Sequence, residues 1–493
     1  MIDFYLNGQR QQFAEVTPGT SVLELLRIQL GRTGTKEGCA SGDCGACTVS
    51  IGEPDGQGGL SYHSANACIL PAHQINGCHL VTVEGLARGD ALHPAQAAMV
   101  DCHASQCGFC TPGIVMSLFT LHQSQQQHPA PLTQQRLEAA LGGNLCRCTG
   151  YRPIRDAALS MQDYPDTHPT WADDPDLASN VEALYIDTTR PSAQQQSRCR
   201  PGHVDSPRDI DTLRELRRER PYSRLVAGAT DLWLEITQQL KPLDDLIDLR
   251  QVAELTTINE APEGWWIGAA VTYSRLEPLF AEHFPAFEHL MHRFASSQIR
   301  NRATLGGNVA NASPIGDCPP VLLALDARLK LDGPDGPRDI PIADFFLDYR
   351  KTALQDGEFI RAIFLPRPGD DQHLKVWKLS KRREDDISVV LGAFAWRLEN
   401  GVIRDVHLAF GGMAAIPKRA PSAEAALEGQ PLNDAAFDAA KAALHNEFQP
   451  LSDVRGSSEY RLVAAGNLLE RLRLFLNTDS NANVEVCLDA YAH

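Results

Sequence analysis

The sequence predicts a multidomain α+β protein, and three observations lead to that fold class. The chain has 493 residues, enough for three or four domains of ordinary size. Ten of its 13 cysteines come before residue 150, so the thiol groups are concentrated in the first third of the chain. The hydrophobic periodicity also changes along the chain, from alternation to helical spacing and then to a mixture of the two.

Composition and charge exclude several classes of protein. A net charge of −17 disfavours nucleic acid as a ligand, because an acidic surface repels phosphate. No apolar run approaches the roughly 18 residues that cross a bilayer, and Met1–Arg10 shows no targeting signal. We therefore expect a cytoplasmic protein that does not bind membranes. In the cytosol, cysteines at this density indicate metal binding rather than disulfides.

Residues 1–86 are predicted to form a small mixed α/β domain. Alternating apolar residues over Ile2–Leu6 indicate a strand, and Asn7-Gly8 is typical of a tight hairpin turn. Ser21 and Glu24 form a capping-box pattern that begins a short helix. The further predicted strands are Thr48–Ile51 and His79–Val83.

Residues 87–162 are predicted to be helical. Thr111 is the predicted N-cap of a long helix, and further helices are predicted at Thr133–Leu141 and from Pro153. The next segment, 163–205, is acidic and Pro-rich and then Gln- and Ser-rich, without sustained periodicity. It is predicted to be a linker, either an ordered irregular connector or a disordered one.

Two α/β units follow, at 206–372 and 373–485. In the first, a helix at Asp209–Glu219 leads to a strand at Arg224–Ala227 and then to a glycine-containing loop. The second mixes long apolar strands with helices. Its predicted elements are the strands Val389–Leu398 and Val402–Phe410 and the helices Asp434–Glu447 and Glu459–Leu476.

Four cysteines of the first unit follow the pattern C-x4-C-x2-C and then a distant C; they are Cys39, Cys44, Cys47 and Cys68. This spacing is typical of a plant-type [2Fe–2S] cluster, for which one tight loop supplies three thiolates. The loop, Gly38–Cys47, is rich in glycine, which lets backbone amides approach sulfur. A zinc site is the alternative, but zinc favours paired C-x2-C elements, and the second pair is missing. Cys78 is predicted to be a buried thiol rather than a ligand.

A second set of four cysteines lies in the helical unit. Cys107 and Cys110 form a C-x2-C pair directly before a predicted helix, whose N-terminus favours thiolates. Cys146 and Cys148 form a C-x-C pair whose extended backbone puts both sulfurs on one face. The two pairs are therefore predicted to converge on one tetrathiolate site, and Cys102 is predicted to be a buried spare.

Both cysteine patterns and their surroundings resemble the two iron–sulfur domains of the xanthine dehydrogenase family of molybdenum hydroxylases. The segments that carry the resemblance are Gly38–Cys47, Gln106–Gly113 and Gly143–Pro153, and they occur in the family's order. The resemblance implies a β-grasp, ferredoxin-like [2Fe–2S] domain followed by a helical-bundle [2Fe–2S] domain. It also implies that the second cluster lies beside the molybdenum cofactor, where the residues that match Gln106 and Cys148 touch the pterin.

Two glycine-containing loops of the third unit are candidates for holding a diphosphate. The first, Leu225–Leu232, lies between a predicted strand and a predicted helix. The second begins at Thr304 and continues to Asp317. Gly228 and Gly307 are expected where backbone approaches the phosphates and a side chain would block it. From the residues alone, two unrelated structural turns are an equally good interpretation.

Both loops resemble FAD-binding segments of the same family, as do Phe345–Thr352 and Lys378–Ile387. The resemblance implies a two-part α+β FAD-binding domain and an α/β C-terminal flavin-associated domain. The flavin-binding residues expected from the two loops and the resemblance are Leu225, Val226, Ala227, Gly228, Ala229, Thr230, Asp231, Leu232, Phe294, Thr304, Gly306, Gly307, Asn308, Asp317, Ile360 and Lys378.

The resemblance implies an iron–sulfur and FAD subunit of a two-subunit enzyme, since the chain ends where single-chain members of the family continue into a molybdenum-binding region. We expect electrons to pass from molybdenum in a larger partner subunit through the two [2Fe–2S] clusters to FAD and then to NAD⁺. The expected reaction is the oxidation of hypoxanthine and xanthine to urate. No catalytic residue is expected in this chain, and a dimer of heterodimers is the expected assembly.

Two alternatives stay open from the sequence. The first is a related molybdenum hydroxylase for aldehydes or other N-heterocycles, because the substrate chemistry would lie in the partner. The second is an iron–sulfur redox sensor, which the acidic charge and the two flavin-type loops disfavour.

Overall fold

The computed structural model describes residues 1–189, 202–383 and 385–477. Part of the predicted linker, Glu384 of the Lys378–Ile387 segment and the end of the predicted C-terminal unit lie outside these ranges. Within them the chain has the expected α+β organisation. No helix in these ranges is long and apolar enough to cross a membrane.

The N-terminal part folds as a five-stranded mixed sheet with a short helix. Its elements are β1 (Ile2–Leu6), β2 (Gln9–Phe13), α1 (Val22–Glu24), β3 (Thr48–Pro54), β4 (Leu60–Asn66) and β5 (His79–Val81). The strand order is β2-β1-β5-β3-β4, with only the β1–β5 pair parallel. Asn7 and Gly8 both have positive φ angles, as the predicted tight turn requires. The Ser21 hydroxyl accepts from the Glu24 amide and caps α1, which continues as a π-helical turn.

The second unit is helical, as predicted. Its helices are α2 (Pro94–Asp101), α3 (Thr111–Gln127), α4 (Gln134–Leu141) and α5 (Arg152–Ser160), and they share a core that includes Phe119. Thr133, predicted as the first residue of α4, is its N-cap. The predicted N-cap of α3 is wrong by one residue: Cys110 occupies that position, and Thr111 is already helical.

The linker prediction is wrong for the segment that forms α6 (Leu177–Thr189). Leu177 and Val181 are buried against the N-terminal sheet, and ahead of the helix Trp171 packs on His79 of β5. The buried stripe of α6 also includes Leu184. Leu177, Val181 and Leu184 have the i, i+4, i+7 spacing of a helix, but the Pro-rich residues before them and the Gln- and Ser-rich residues after them led to the linker prediction.

The third unit contains two main sheets. A parallel sheet of order β6-β8-β7 comes first, and an antiparallel sheet of order β12-β11-β15-β10-β9 follows. Val226, Trp233 and Leu246 share one hydrophobic core with Phe4 and Leu80, so the parallel sheet packs directly on the N-terminal domain. The elements are β6 (His203–Asp205), α7 (Ile210–Glu219), β7 (Arg224–Val226), α8 (Leu234–Thr237), β8 (Asp245–Asp248), β9 (Ile258–Ala261), β10 (Gly264–Gly268), α9 (Tyr273–His283), α10 (Pro285–Met291), α11 (Ser297–Arg300), α12 (Leu305–Ala310), α13 (Cys318–Ala324), β11 (Arg328–Asp332), β12 (Arg338–Pro341), β13 (Phe346–Asp348), β14 (Lys351–Thr352) and β15 (Phe359–Pro366).

The last unit is a four-stranded antiparallel sheet with helices packed on it. Its elements are β16 (Gln372–Leu379), β17 (Val390–Glu399), β18 (Val402–Gly411), β19 (Lys418–Arg419), α14 (Pro421–Leu427), α15 (Asp434–Glu447) and α16 (Ser458–Asn477). Phe394 and Phe410 of the sheet meet Phe437 and Leu469 of the helices in one core. The four elements predicted here are confirmed to within one residue at each end.

The packing of α6 can be tested by Val181→Asp. A carboxylate at this fully buried position would lose its hydration among apolar side chains, at a cost of about 3 kcal/mol or more. We expect limited proteolysis to cut within 163–189 in the variant and not in the wild type. Asn180→Asp, on the exposed side of the same helix, should leave the pattern unchanged. Equal protection of both variants would show that α6 does not hold this segment.

Candidate functional site

The first cysteine set lies in the loop Gly38–Cys47 and just after β4. The Cys39 sulfur is hydrogen-bonded to those of Cys44 and Cys68, and the Cys68 sulfur also contacts that of Cys47. The hydrogen bonds from Cys44 and Cys68 hold the pKa of the Cys39 thiol well below its ordinary value. The amides of Ser41 and Cys44 donate to the Cys39 sulfur, each at 3.4 Å, which favours the thiolate further. The structure thus brings the four predicted residues together.

The four sulfurs form two contacting pairs, Cys39 with Cys44 and Cys47 with Cys68, which are joined by the contact between Cys39 and Cys68. A [2Fe–2S] cluster takes four thiolates, two on each of its two irons. The donor set therefore fits the predicted cluster.

The second cysteine set also forms two pairs. Cys107 contacts Cys148, and Cys110 contacts Cys146. Burial and the Cys146 thiol raise the pKa of Cys110 to about 12, whereas a hydrogen bond from the Phe109 amide lowers the pKa of Cys107. Cys146 is buried, but Cys107 and Cys148 are exposed, so this site opens to the protein surface on one side.

The two cysteine loops touch through their backbones. The Leu145 amide, one residue before a predicted ligand, donates to the Cys44 carbonyl at 3.0 Å. A β-carbon on Gly45 would lie 2.2 Å from the Gly143 carbonyl oxygen, and one on Gly113 would lie 2.1 Å from the Gly45 oxygen. Glycine at these positions therefore permits an approach that no side chain would allow.

The other side of the first cysteine loop contacts the third unit. Gln238, just after α8, donates from its side chain to the carbonyls of Cys39 and Ala40 at 3.1 and 3.0 Å. Burial and the Asp43 carboxylate of this loop together raise the pKa of Asp385, in the last unit, to about 6. The first cysteine loop thus lies between the second cysteine loop and the third unit.

The two predicted flavin loops meet at Gly228. A β-carbon there would lie 1.9 Å from the Arg302 carbonyl oxygen, so packing at this contact by itself requires a glycine. The expected approach of a diphosphate to Gly228 stays a prediction. Gly307 is different: it is exposed, and the nearest atom to an added β-carbon would be the Thr304 hydroxyl at 2.9 Å. The amides of Gly228–Thr230 donate to no backbone carbonyl in the described part of the chain, which leaves them for a ligand.

Tyr273 connects several of the other predicted residues, and the sequence analysis missed it. Its amide donates to the Ala303 carbonyl at 3.0 Å, beside Thr304, and its ring centroid lies 4.7 Å from that of Phe294. Its hydroxyl donates to the sulfur of Cys318, the residue after Asp317, at 3.2 Å. Burial raises the pKa of Tyr273, so the phenol stays protonated. A tyrosine at the start of a helix gives no local signal of this role.

Asp317 and Lys378 form a buried ion pair beside Phe294. Lys378 Nζ donates to Asp317 Oδ2 at 2.7 Å and to the Arg293 carbonyl at 3.0 Å. The Ser388 hydroxyl donates to the other carboxylate oxygen. Because protein groups neutralise both charges, this pair supports the wall of the site rather than offering a free charge. The last predicted contact, Ile360 of β15, is buried in the core below the second loop.

Asn308 provides a direct test of whether these residues fit a flavin nucleotide. Its Oδ1 atom is buried and accepts no hydrogen bond from the described residues. Leaving a buried acceptor unpaired costs about 1–3 kcal/mol, so a donor on a ligand is expected beside it. With the amides of Gly228–Thr230 and the exposed Gly307, this residue would hold FAD, and the residues present fit that group.

A buried amide network also escaped the sequence analysis. Gln298 of α11 donates to Asn144 Oδ1 at 3.0 Å and to the Ser117 hydroxyl at 3.2 Å. Asn144 in turn donates to the Gly45 carbonyl at 3.1 Å, so the network joins the third unit to both cysteine loops. Its members are up to about 250 residues apart in sequence, and no local pattern reveals them.

The two remaining cysteines of the first third lie away from both sites. Cys78 is buried as predicted, with its sulfur 3.8 Å from Glu53 Oε1, and burial raises its pKa. Cys102 lies 3.6 Å from the Ser160 hydroxyl. It is only half-buried, which corrects the expectation of a buried spare.

Four family models match the chain in the expected order. They are the 2Fe-2S iron-sulfur cluster binding domain at 4–73, the [2Fe-2S] binding domain at 82–159, the FAD binding domain in molybdopterin dehydrogenase at 200–368 and the CO dehydrogenase flavoprotein C-terminal domain at 375–475. The expected fold class and cofactors, two [2Fe–2S] clusters and FAD, are thereby confirmed. The exact domain boundaries and the individual ligand roles stay predictions.

Relatives over most of the chain are xanthine dehydrogenases. Those of Drosophila pseudoobscura pseudoobscura and Emericella nidulans are 33% and 34% identical over 87% and 91% of this chain. The chain spans 36% of the length of each of these relatives.

Among solved structures, a carbon monoxide dehydrogenase from Hydrogenophaga pseudoflava, which lacks the Mo-pyranopterin moiety of its molybdenum cofactor, is 27% identical and has a TM-score of 0.53. It covers 55% of this chain, and the match covers 96% of that structure's own chain. Quinoline 2-oxidoreductase from Pseudomonas putida 86 shares the fold over 56% of this chain and 98% of its own, with 24% identity and a TM-score of 0.52.

The fold and the two kinds of site define an iron–sulfur flavoprotein. The matched domains and relatives then identify its family: the chain belongs to the molybdenum hydroxylases, the family that includes the xanthine dehydrogenases. It corresponds to the iron–sulfur and flavin domains of that family.

Cysteine variants should separate ligands from spare thiols. Cys68→Ser should disturb the plant-type cluster, because the Cys68 sulfur contacts those of Cys39 and Cys47. Cys78→Ser and Cys102→Ser should keep four irons per chain and unchanged spectra, since both sulfurs lie elsewhere. Iron analysis and visible circular dichroism of the purified chains measure this. A full iron content in Cys68→Ser, or iron loss in Cys78→Ser, would contradict the ligand set.

Proposed function

We propose that this chain is the electron-transfer subunit of a xanthine dehydrogenase, an oxidoreductase. Electrons from a molybdenum site in a partner chain pass through two [2Fe–2S] clusters to FAD and then to NAD⁺, in the oxidation of hypoxanthine and xanthine to urate. The proposal is supported above all by the position of the first cysteine loop. It contacts the second cysteine loop on one side and the flavin region on the other.

The order of the three sites suits such a relay. The hydrogen bond from Leu145 to Cys44 gives a short bonded route between the two cysteine loops. Gln238 holds the first loop against the region that leads to the flavin loops. A flavin exchanges single electrons with clusters and pairs of electrons, as hydride, with nicotinamide, which is why it suits the end of the relay.

A cleft beside Phe294 supports a dinucleotide acceptor. It has a volume of about 420 Å³ and lies between α4 of the helical unit and the third unit. Three arginines and two acidic residues line it, namely Arg293, Arg300, Arg383, Glu138 and Asp385. The excess of positive charge favours a ligand that carries phosphates. The size falls within the usual range for small-molecule sites, roughly 300–1,000 Å³.

The exposed surface of the second cysteine site supports a partner that carries the molybdenum cofactor. Cys107 and Cys148 are exposed there, and so are the apolar side chains of Phe109, Leu145 and Tyr151. Clustered apolar groups around a redox site are typical of a surface that another protein covers. We propose a dimer of heterodimers built around this contact, in the cytoplasm.

A related hydroxylase for aldehydes or other N-heterocycles is the second candidate. The structural similarity to a carbon monoxide dehydrogenase favours it, because that enzyme has the same flavoprotein architecture. Assays of the purified complex with hypoxanthine, xanthine, aldehydes and N-heterocycles decide between the two.

Gly307→Val should lower the amount of bound FAD and the rate of NAD⁺ reduction. Its side chain would fill the exposed face of the second loop, where an added β-carbon already meets the Thr304 hydroxyl at 2.9 Å. Both clusters should keep their spectra and their reduction by substrate in the complex. Gly369→Val, at an exposed glycine of another loop, is the matched control and should bind FAD normally. Loss of the iron signals together with FAD would assign the loop to general folding.

Gln106→Ala should slow reduction of the second cluster by substrate in the complex. Gln106 is exposed beside Cys107, and loss of its hydrogen bonds at a covered contact costs about 1–3 kcal/mol. Reduction by dithionite and NADH diaphorase activity should not change. Gln162→Ala, at an exposed glutamine beyond the far end of α5, is the control.

The chain purified alone should contain four irons, one FAD and no molybdenum; xanthine turnover by it would refute the two-subunit proposal.

A further inference from the structure

Gln74 crosses from the N-terminal domain into the flavin region. It lies in a short 3₁₀ turn, Ala72–Ile75, six residues after the predicted ligand Cys68. The residue is completely buried. Its side chain points away from its own sheet and towards β7 and the loop that follows it.

The side chain of Gln74 bonds at once to the first flavin loop and to a residue just before the second. Its Nε2 donates to the Ala227 carbonyl of the first loop at 2.8 Å. Its Oε1 accepts from Arg302 Nη2 at 2.6 Å, two residues before the second loop begins at Thr304. These two contacts lie where Gly228 and Arg302 meet through their backbones.

The surroundings explain why an amide suits this position. Arg302 and Arg250 are both near Gln74, and Arg250 Nη2 donates to the Gln74 backbone carbonyl at 3.0 Å. Burial and the Arg250 charge lower the pKa of Arg302 to about 10, so the guanidinium stays charged at neutral pH and needs an acceptor. Nε2 also lies 3.3 Å from Asp248 Oδ2. A side chain with one donor end and one acceptor end can therefore serve the Ala227 carbonyl and Arg302 Nη2 at once.

We propose that Gln74 is a positioning residue for the flavin, which sets the spacing of the two FAD loops from the iron–sulfur domain. The FAD site would then reach its binding geometry only when the N-terminal domain is docked. This inference rests on the proposed FAD site at these loops and goes beyond it, because Gln74 itself does not touch the flavin.

Gln74→Leu tests the proposal in the full chain. The variant removes both hydrogen bonds with little change in volume, and leaves the Ala227 carbonyl and the Arg302 guanidinium short of a partner. After removal of the flavin, titration with FAD should give a Kd about tenfold or more above that of the wild type. The circular dichroism of the bound flavin should change, while four irons and both cluster spectra are retained.

Gln74→Glu separates the two bonds. It keeps an acceptor for Arg302 and loses the donor to Ala227, so its Kd for FAD should lie between those of the wild type and Gln74→Leu. It also carries the test if Gln74→Leu does not fold. A wild-type Kd and flavin spectrum in Gln74→Glu would then overturn the proposal.

Gln125→Leu is the matched control. Gln125 is also buried, but it lies in α3, where its Oε1 accepts from the Ala130 amide at 3.2 Å within the helical unit. Its FAD affinity should equal that of the wild type. An equal loss of FAD in both leucine variants, or none in Gln74→Leu, would overturn the positioning role. If the wild-type chain itself binds no FAD, the proposed function fails instead.

Discussion

The backbone contact between the two cysteine loops is the constraint on which the rest of the arrangement depends. Gly45 and Gly113 lack the β-carbons that would keep the loops apart, and the Leu145 amide bonds to the Cys44 carbonyl across the gap. A side chain at either glycine would separate the two sulfur sets. The short distance between the two sulfur sets therefore requires these glycines as well as the cysteines.

The third unit is held against this pair of loops by amide side chains, two of them buried and one exposed. Buried Gln298 reaches the Asn144 network behind the loops, exposed Gln238 bonds to the outer face of the first loop, and buried Gln74 reaches the first flavin loop from the N-terminal domain. Amide side chains can donate and accept at once, so they join domains without burying a net charge. The shared hydrophobic core of the N-terminal sheet and β7 completes the junction.

The features that could be predicted from the sequence are those that depend on the spacing of residues close together along the chain. The cysteine spacing identified both sulfur sets, and apolar periodicity gave the elements of the last unit to within one residue. It did not reveal Gln74, Tyr273 or Gln298, because their partners lie far away along the chain and an isolated polar residue has no period. The approach of the Arg302 carbonyl to Gly228 was not predicted either: a glycine in a loop signals a close approach, but the sequence does not say whether a ligand or the protein approaches.

Low-temperature electron paramagnetic resonance of the fully reduced chain tests the central claim most directly. Each reduced [2Fe–2S] cluster carries one unpaired spin, and the backbone hydrogen bond between the loops holds the two spins close together. The account predicts two cluster signals that split each other through their magnetic interaction. Two independent signals without splitting, or one signal only, would contradict it.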